Sequence, residues 1–169
     1  RLPGRGLARG GAAVAAAAPD TYTPRHLADK ILTSRSALEG ERKQVTVFFA
    51  DLKGSIELSS AVDPEVWHEI MDNFFQVLTD GIHRFEGTIN QYTGDGVMAL
   101  FGAPIAHEDH AQRACYAALQ LRTDLAEQAR EVKREHGLGF STRVGIHSGE
   151  VVVGKIGDDL RMDYTAQGA

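Results

Sequence analysis

Apolar residues recur along this chain in two rhythms, and each predicts a different kind of element. Residues 44–50 hold an almost unbroken apolar run rich in β-branched and aromatic side chains, the pattern of a strand buried on both faces. From Asp63 the spacing becomes helical. Val66, Ile70, Phe74, Val77, Gly81 and Phe85 form one stripe, flanked by Trp67 and Phe75 as packing residues. Asp63-Pro64-Glu65 reads as the start of that helix, with an N-cap, a proline in the first turn and an acid against the helix dipole. Gly87 is expected to end it. Residues 55–60 predict one short helix before it, opened by Lys53-Gly54-Ser55. Residues 88–101 read as two strands joined at Thr93-Gly94-Asp95-Gly96, where both glycines are expected to take positive φ.

A second long helical stripe, Ala111, Ala114, Ala118, Leu121 and Leu125, places a helix over residues 107–136, closed by Gly137 and Gly139. Residues 140–147 then predict a strand, Ser148-Gly149 a turn, residues 150–156 its partner, and residues 162–166 the beginning of another strand. The order β-α-β-β-α-β-β specifies a ferredoxin-like α+β sandwich: an antiparallel-type sheet with helices packed on one face.

The 169 residues suit one domain with a tail. Residues 1–24 are Arg-, Gly- and Ala-rich and read as a disordered linker; the Ala run is too short and too weakly apolar for a secretory signal, and Pro19 interrupts it. Residues 25–41 predict a short coupling helix, with Leu27, Ile31 and Leu38 on one side. Residues 42–169 form the folded domain. The chain opens on Arg1 and stops at Ala169, the pattern of a piece of a longer protein. Charge divides along it: residues 1–43 carry +4 and the remainder −9. So acidic a domain argues against general nucleic-acid binding. A single cysteine, Cys115, excludes an internal disulfide and a cysteine zinc cage, and fits a cytoplasmic location. No apolar run is long enough to span a bilayer.

Candidate chemistry gathers at two strand ends. Asp51 closes the first apolar run and Asp95 lies in the hairpin turn. If their strands are neighbours, two carboxylates stand side by side and repel unless a cation bridges them. Hard oxygen donors suit Mg²⁺, which completes its shell with substrate phosphates. That is the logic of a two-metal phosphoryl-transfer site. The helix opening at Gly54 and Ser55 presents free N–H groups to an anion. Two other clusters carry blander readings. His107-Glu108-Asp109-His110 has spacing that would admit a metal, yet an acidic first helical turn accounts for it. His147 and Ser148 are adjacent, but neighbours on a strand point to opposite faces, which argues against a nucleophile pair.

The stretches VTVFFADLKGS, GTINQYTGDGVMALFGAP, HEDHAQRACYAAL, STRVGIHSGEVVVGKIG and MDYTAQG, in that order over residues 44–169, resemble the class III adenylate/guanylate cyclase catalytic domain. The resemblance implies that Asp51 and Asp95 are metal carboxylates and that the Leu52 carbonyl is a further metal ligand. It implies that the N–H groups around Gly54, Ser55 and Ile56 cradle a triphosphate and that Arg143 contacts phosphate. Two Mg²⁺ or Mn²⁺ ions per site, ATP or GTP as substrate and a head-to-tail homodimer follow from the same resemblance. So does a product of cyclic AMP, or cyclic GMP, with pyrophosphate. At the base-recognition positions this chain carries Gln91, where ATP-specific members have Lys, and Thr165, where Asp is common. The Thr is similar to that of bicarbonate-responsive members. The family continues past the strand at Tyr164-Thr165 into a helix bearing Asn and Arg, so the domain is expected to be incomplete and this chain alone to bind nucleotide weakly with little turnover. A degenerate binding or dimerisation module is the alternative reading. A palm-type polymerase or diguanylate cyclase lacks support, because no GGDEF-like turn is present.

Overall fold

The computed structural model describes residues 25–26, 29–30, 42–156 and 162–165. The linker expected over residues 1–24 lies outside the described residues. So does the coupling helix, apart from helical backbone at 25–26 and 29–30. The elements run β1 (Arg42–Lys53), α1 (Ser55–Ala61), α2 (Pro64–Arg84), β2 (Thr88–Thr93), β3 (Gly96–Phe101), α3 (His110–His136), β4 (Ser141–Ile156) and β5 (Met162–Thr165). The five strands form one sheet in the order β2-β3-β1-β4-β5, and every neighbouring pair is antiparallel. This is the expected ferredoxin-like α+β sandwich.

The apolar run of β1 explains its central place. Phe48, Ala50 and Leu52 alternate onto one face and join α2 and α3 in the main core, with Phe74, Leu78 and Ile82 from α2 and Ala114, Ala117, Leu121 and Leu125 from α3. Phe48 meets Phe101 of β3 edge-on, their ring centroids 6.1 Å apart. The other face of the sheet carries a much smaller cluster: Val45, Val47, Leu100, Ala103 and Val151. Phe49, on that same open face, is 50% exposed. Trp67 and Phe75 pack against the main core, as their position beside the stripe predicts.

Four local expectations need correction. The first concerns the buried stripe of α2, which runs through Met71, Leu78 and Ile82 as well as Ile70, Phe74 and Gly81, while Val66, Val77 and Phe85 are only partly buried. In α3, Ala111 is exposed and Ala117 takes its place in the core. Second, no turn interrupts β4 at Ser148-Gly149. β1 pairs with it continuously from Arg42↔Val152 to Lys53↔Ser141, so a long central strand keeps a small-residue dipeptide extended. Third, α2 ends at Arg84, and the left-handed residue after it is Glu86, at φ 59°, rather than Gly87. Gly87 is needed for closeness, since a Cβ there would lie 2.6 Å from the Phe101 ring. Fourth, α3 begins at His110, three residues later than expected.

Among the described residues, the buried core holds one ionisable side chain. His83 of α2 is buried, and its Nδ1 has no hydrogen-bond partner. Burial pushes its pKa down from 6.5 to about 4, with the nearby His26 adding to the fall and Asp80 opposing it. The folded protein thus keeps this imidazole neutral at pH values where the unfolded chain protonates it. Stability is complete above pH 6.5 and is lost as pH falls from there toward 4. The full loss is about 3 kcal/mol. Urea unfolding at pH 7 and at pH 4.5 checks this, and a His83→Leu variant is expected to lose much less stability between the two.

Candidate active site

Three segments converge at one end of β1. The register sets Asp51 directly across from Gly96 of β3 and Arg143 of β4. The β2–β3 connection is a two-residue turn, Gly94-Asp95, so Asp95 stands immediately before the residue opposite Asp51. The Leu52 N–H donates to the Asp95 carbonyl at 2.9 Å and fastens the turn to β1. Neither Gly94 nor Gly96 takes a positive φ, contrary to the sequence-based expectation. What this turn requires is close approach. A Cβ on Gly96 would sit 2.2 Å from the Ala50 carbonyl oxygen and 2.9 Å from Asp51 Cα. Gly96 is therefore what allows β3 to bring Asp95 against β1.

The chain leaves β1 through Gly54, at φ 84°, a left-handed conformation that glycine adopts without strain. This reversal starts α1 beside the hairpin, and Ser55 Oγ donates to Asp95 Oδ2 at 2.8 Å. The first bond within α1 is Leu58 N–H to the Gly54 carbonyl, so the first N–H groups of the helix are not consumed within it. On the opposite flank, Arg143 holds Asp51 in a two-pronged contact, Nε to Oδ1 at 2.9 Å and Nη2 to Oδ2 at 2.6 Å. Asp51 raises the pKa of Arg143 through this bond and through its charge, and Asp95 adds to the effect.

The sequence-predicted residues therefore gather in part. Asp51, Leu52, Gly54, Ser55, Ile56, Asp95 and Arg143 surround one end of the sheet, although Arg143 faces a carboxylate. Gln91 lies on the same open face, opposite Met98 of β3, and is exposed. Thr165 on β5 pairs with Val152 of β4, so the two positions expected to read the base sit on the two edge strands with three strands between them.

The histidine clusters separate, but the acidic first turn expected to account for Glu108 and Asp109 is not formed, because both precede α3 and its first turn holds no acid. His107 Nε2 faces Glu86 Oε2 at 3.1 Å, whereas His110 Nδ1 lies 2.7 Å from Thr46 Oγ1. Thr46 also reaches Ser148 Oγ at 2.7 Å, so Ser148 points to the side of the sheet away from His147. Among the described residues, no group of three or more His, Cys, Asp or Glu side chains gathers as a metal cage. Sequence reasoning missed the Glu86 hub, which joins Lys30, His107 and Arg113. Its only signal was an acid placed just after a helix end.

Two carboxylates carried on neighbouring backbone, a backbone carbonyl and the unconsumed N–H groups at a helix start are chemically suited to a divalent cation together with a polyphosphate. No helix among the described residues is long and apolar enough to cross a membrane.

Comparison with known proteins gives this geometry a family. The chain is 35% identical over 150 residues to Adenylate cyclase 1 of Rhizobium meliloti (strain 1021), a match that takes in 87% of this chain and 22% of that protein. It thus spans about a fifth of that relative's length. The crystal structure of the guanylyl cyclase Cya2 superposes with a TM-score of 0.68 at 33% identity, covering 78% of this chain and 67% of the other. That of the adenylyl cyclase CyaB from P. aeruginosa gives a TM-score of 0.68 at 33% identity, covering 78% and 68%. The family described as the adenylate and guanylate cyclase catalytic domain matches residues 39–168, and this chain belongs to it.

Proposed function

We propose that this domain forms the metal-binding half of a purine nucleotide cyclase that converts ATP to 3′,5′-cyclic AMP and pyrophosphate in the cytoplasm. The observation that carries the reading is the pairing of Asp51 with Gly96, which sets the Asp95 turn beside Asp51. Asp51, Asp95 and the Leu52 carbonyl are hard oxygen donors that fit two Mg²⁺ or Mn²⁺ ions, with water and phosphate oxygens completing each shell. Bound there, such ions lower the pKa of the ribose 3′-hydroxyl and neutralise charge on the leaving pyrophosphate. The protein's own work is placement. The N–H groups of Gly54, Ser55 and Ile56 receive the phosphate tail, and Arg143 neutralises it, so that the 3′-oxygen lies in line with the α-phosphorus. A bond forms between that oxygen and phosphorus, the bond to the β-phosphate oxygen breaks, and the hydroxyl proton passes to solvent. In the longer protein that carries this domain, a head-to-tail partner copy supplies the complementary residues around the ribose from the helix that follows the strand at Tyr164-Thr165.

A second reading, GTP as substrate, is favoured by Gln91, an exposed amide on the open face that both donates and accepts hydrogen bonds. Cyclic nucleotide formation from ATP and from GTP, measured on the purified protein that carries this domain, decides between them. A Gln91→Lys variant is expected to raise the ratio of kcat/KM for ATP over GTP by about tenfold, a change of about 1.4 kcal/mol in relative transition-state binding. An unchanged ratio removes Gln91 from base recognition.

A further inference from the structure

Arg143 does something in this structure that a phosphate ligand does not need to do. It occupies both oxygens of Asp51, at 2.9 and 2.6 Å, in the fork-to-fork geometry that makes arginine–carboxylate pairs directional. The cross-strand register puts the two residues opposite each other, so the contact is built into the sheet. The opposing carboxylate has its own donor, because Ser55 Oγ bonds Asp95 Oδ2 at 2.8 Å. The arginine side chain is 66% exposed, which leaves it free to move.

We propose that Arg143 is a latch on Asp51 that couples occupation of the metal site to arrival of a triphosphate. The inference rests on the cyclase reading above and concerns how that site is switched. With no nucleotide present, the guanidinium neutralises Asp51 and fills the coordination positions that a divalent cation would take. A triphosphate seated on the start of α1 offers the same guanidinium a denser anionic partner. Arg143 then leaves Asp51, and both carboxylates become available as ligands. Metal and nucleotide each strengthen the binding of the other, and the coupling is reciprocal because it is a difference in equilibrium binding. Arg143 is in this respect a positioning residue for Asp51.

The test is a binding cycle with Mn²⁺, read by the electron paramagnetic resonance signal of free ion, with and without a non-cyclisable ATP analogue. The proteins compared are the wild type, Arg143→Gln, Arg143→Lys and, as a site control, Asp51→Asn. Circular dichroism confirms the fold of each. In the absence of nucleotide, Arg143→Gln is expected to bind Mn²⁺ about threefold to tenfold more tightly than wild type, while its affinity for the analogue falls. The enhancement of Mn²⁺ binding by the analogue should be large in wild type and largely lost in Arg143→Gln. Arg143→Lys keeps the charge without the fork, so its coupling should fall in between. If wild type binds Mn²⁺ in an Asp51-dependent way but Arg143→Gln binds it equally or less tightly, the latch is overturned and the metal site stands. Should no form bind Mn²⁺ even with the analogue, the metal-site reading falls and the latch with it.

Discussion

Replacing Asp51 by Asn is expected to reduce cyclic nucleotide formation at least about a thousandfold while leaving the unfolding midpoint close to wild type. The two halves of that expectation come from different parts of the structure. Asp51 stands where β1, the Asp95 turn and β4 meet, so a neutral amide there removes charge from the point at which the proposed ions must be held. Preorganised charge of this kind is usually the largest single contribution to catalysis, and water cannot substitute for it. The fold, in contrast, asks little of this side chain. It is 37% exposed, and its partner Arg143 is more exposed still, so solvent screens the pair and breaking it costs the fold little. Thermal unfolding and turnover with ATP and Mg²⁺, measured on the same preparations of the longer protein that carries this domain, separate the two effects. Turnover within about tenfold of wild type would remove Asp51 from the chemistry.

The same contrast between fold and site governs what could be read from the residues alone. Periodicity exposed the elements that bury surface. The run ending at Asp51 had to be a central strand, and the stripes of α2 and α3 had to face it, because no other arrangement removes Phe48, Phe74 and Leu121 from water. The stripes drifted by a residue, to Met71, Leu78 and Ala117, because a helix meets a twisted sheet along a curve that a fixed spacing does not follow. Ser148-Gly149 looked like a turn because turn propensity is local, whereas the pairing of β1 through twelve positions is not. The glycines of the Asp95 turn were assigned the wrong reason. Their dipeptide pattern suggests positive φ, but the reason at Gly96 is a backbone on the neighbouring strand, which no spacing reveals. The nearness of the Asp95 turn to Asp51 was legible because both lie close to strand ends, Asp95 between two glycines and Asp51 three residues before Gly54. The Arg143–Asp51 fork was not, since it depends on the register between strands ninety-two residues apart.

Gly96→Ala is expected to destabilise the protein by about 3 kcal/mol or more, and to impair the site beyond what that loss of stability explains. The added methyl would lie 2.2 Å from the Ala50 carbonyl oxygen and 2.9 Å from Asp51 Cα, and both are backbone atoms of the central strand, which cannot rotate away as a side chain can. Relief requires β3 to move off β1 at the end that carries Asp51 and the Asp95 turn. The Leu52 N–H would then lose its 2.9 Å bond to the Asp95 carbonyl, and Asp95 would swing away from Asp51. Gly94→Ala is the matched control. It sits one residue before Asp95 in the same turn, a Cβ there meets nothing within 4 Å, and its φ is not positive, so its effect should stay within about 0.5 kcal/mol. Denaturant midpoints compare the two variants, and hydrogen exchange at the Leu52 amide reports the local separation directly. If Gly96→Ala proved as stable as Gly94→Ala, with the Leu52 amide still protected, β3 would not be held to β1 by close approach, and the placement of Asp95 would need another cause.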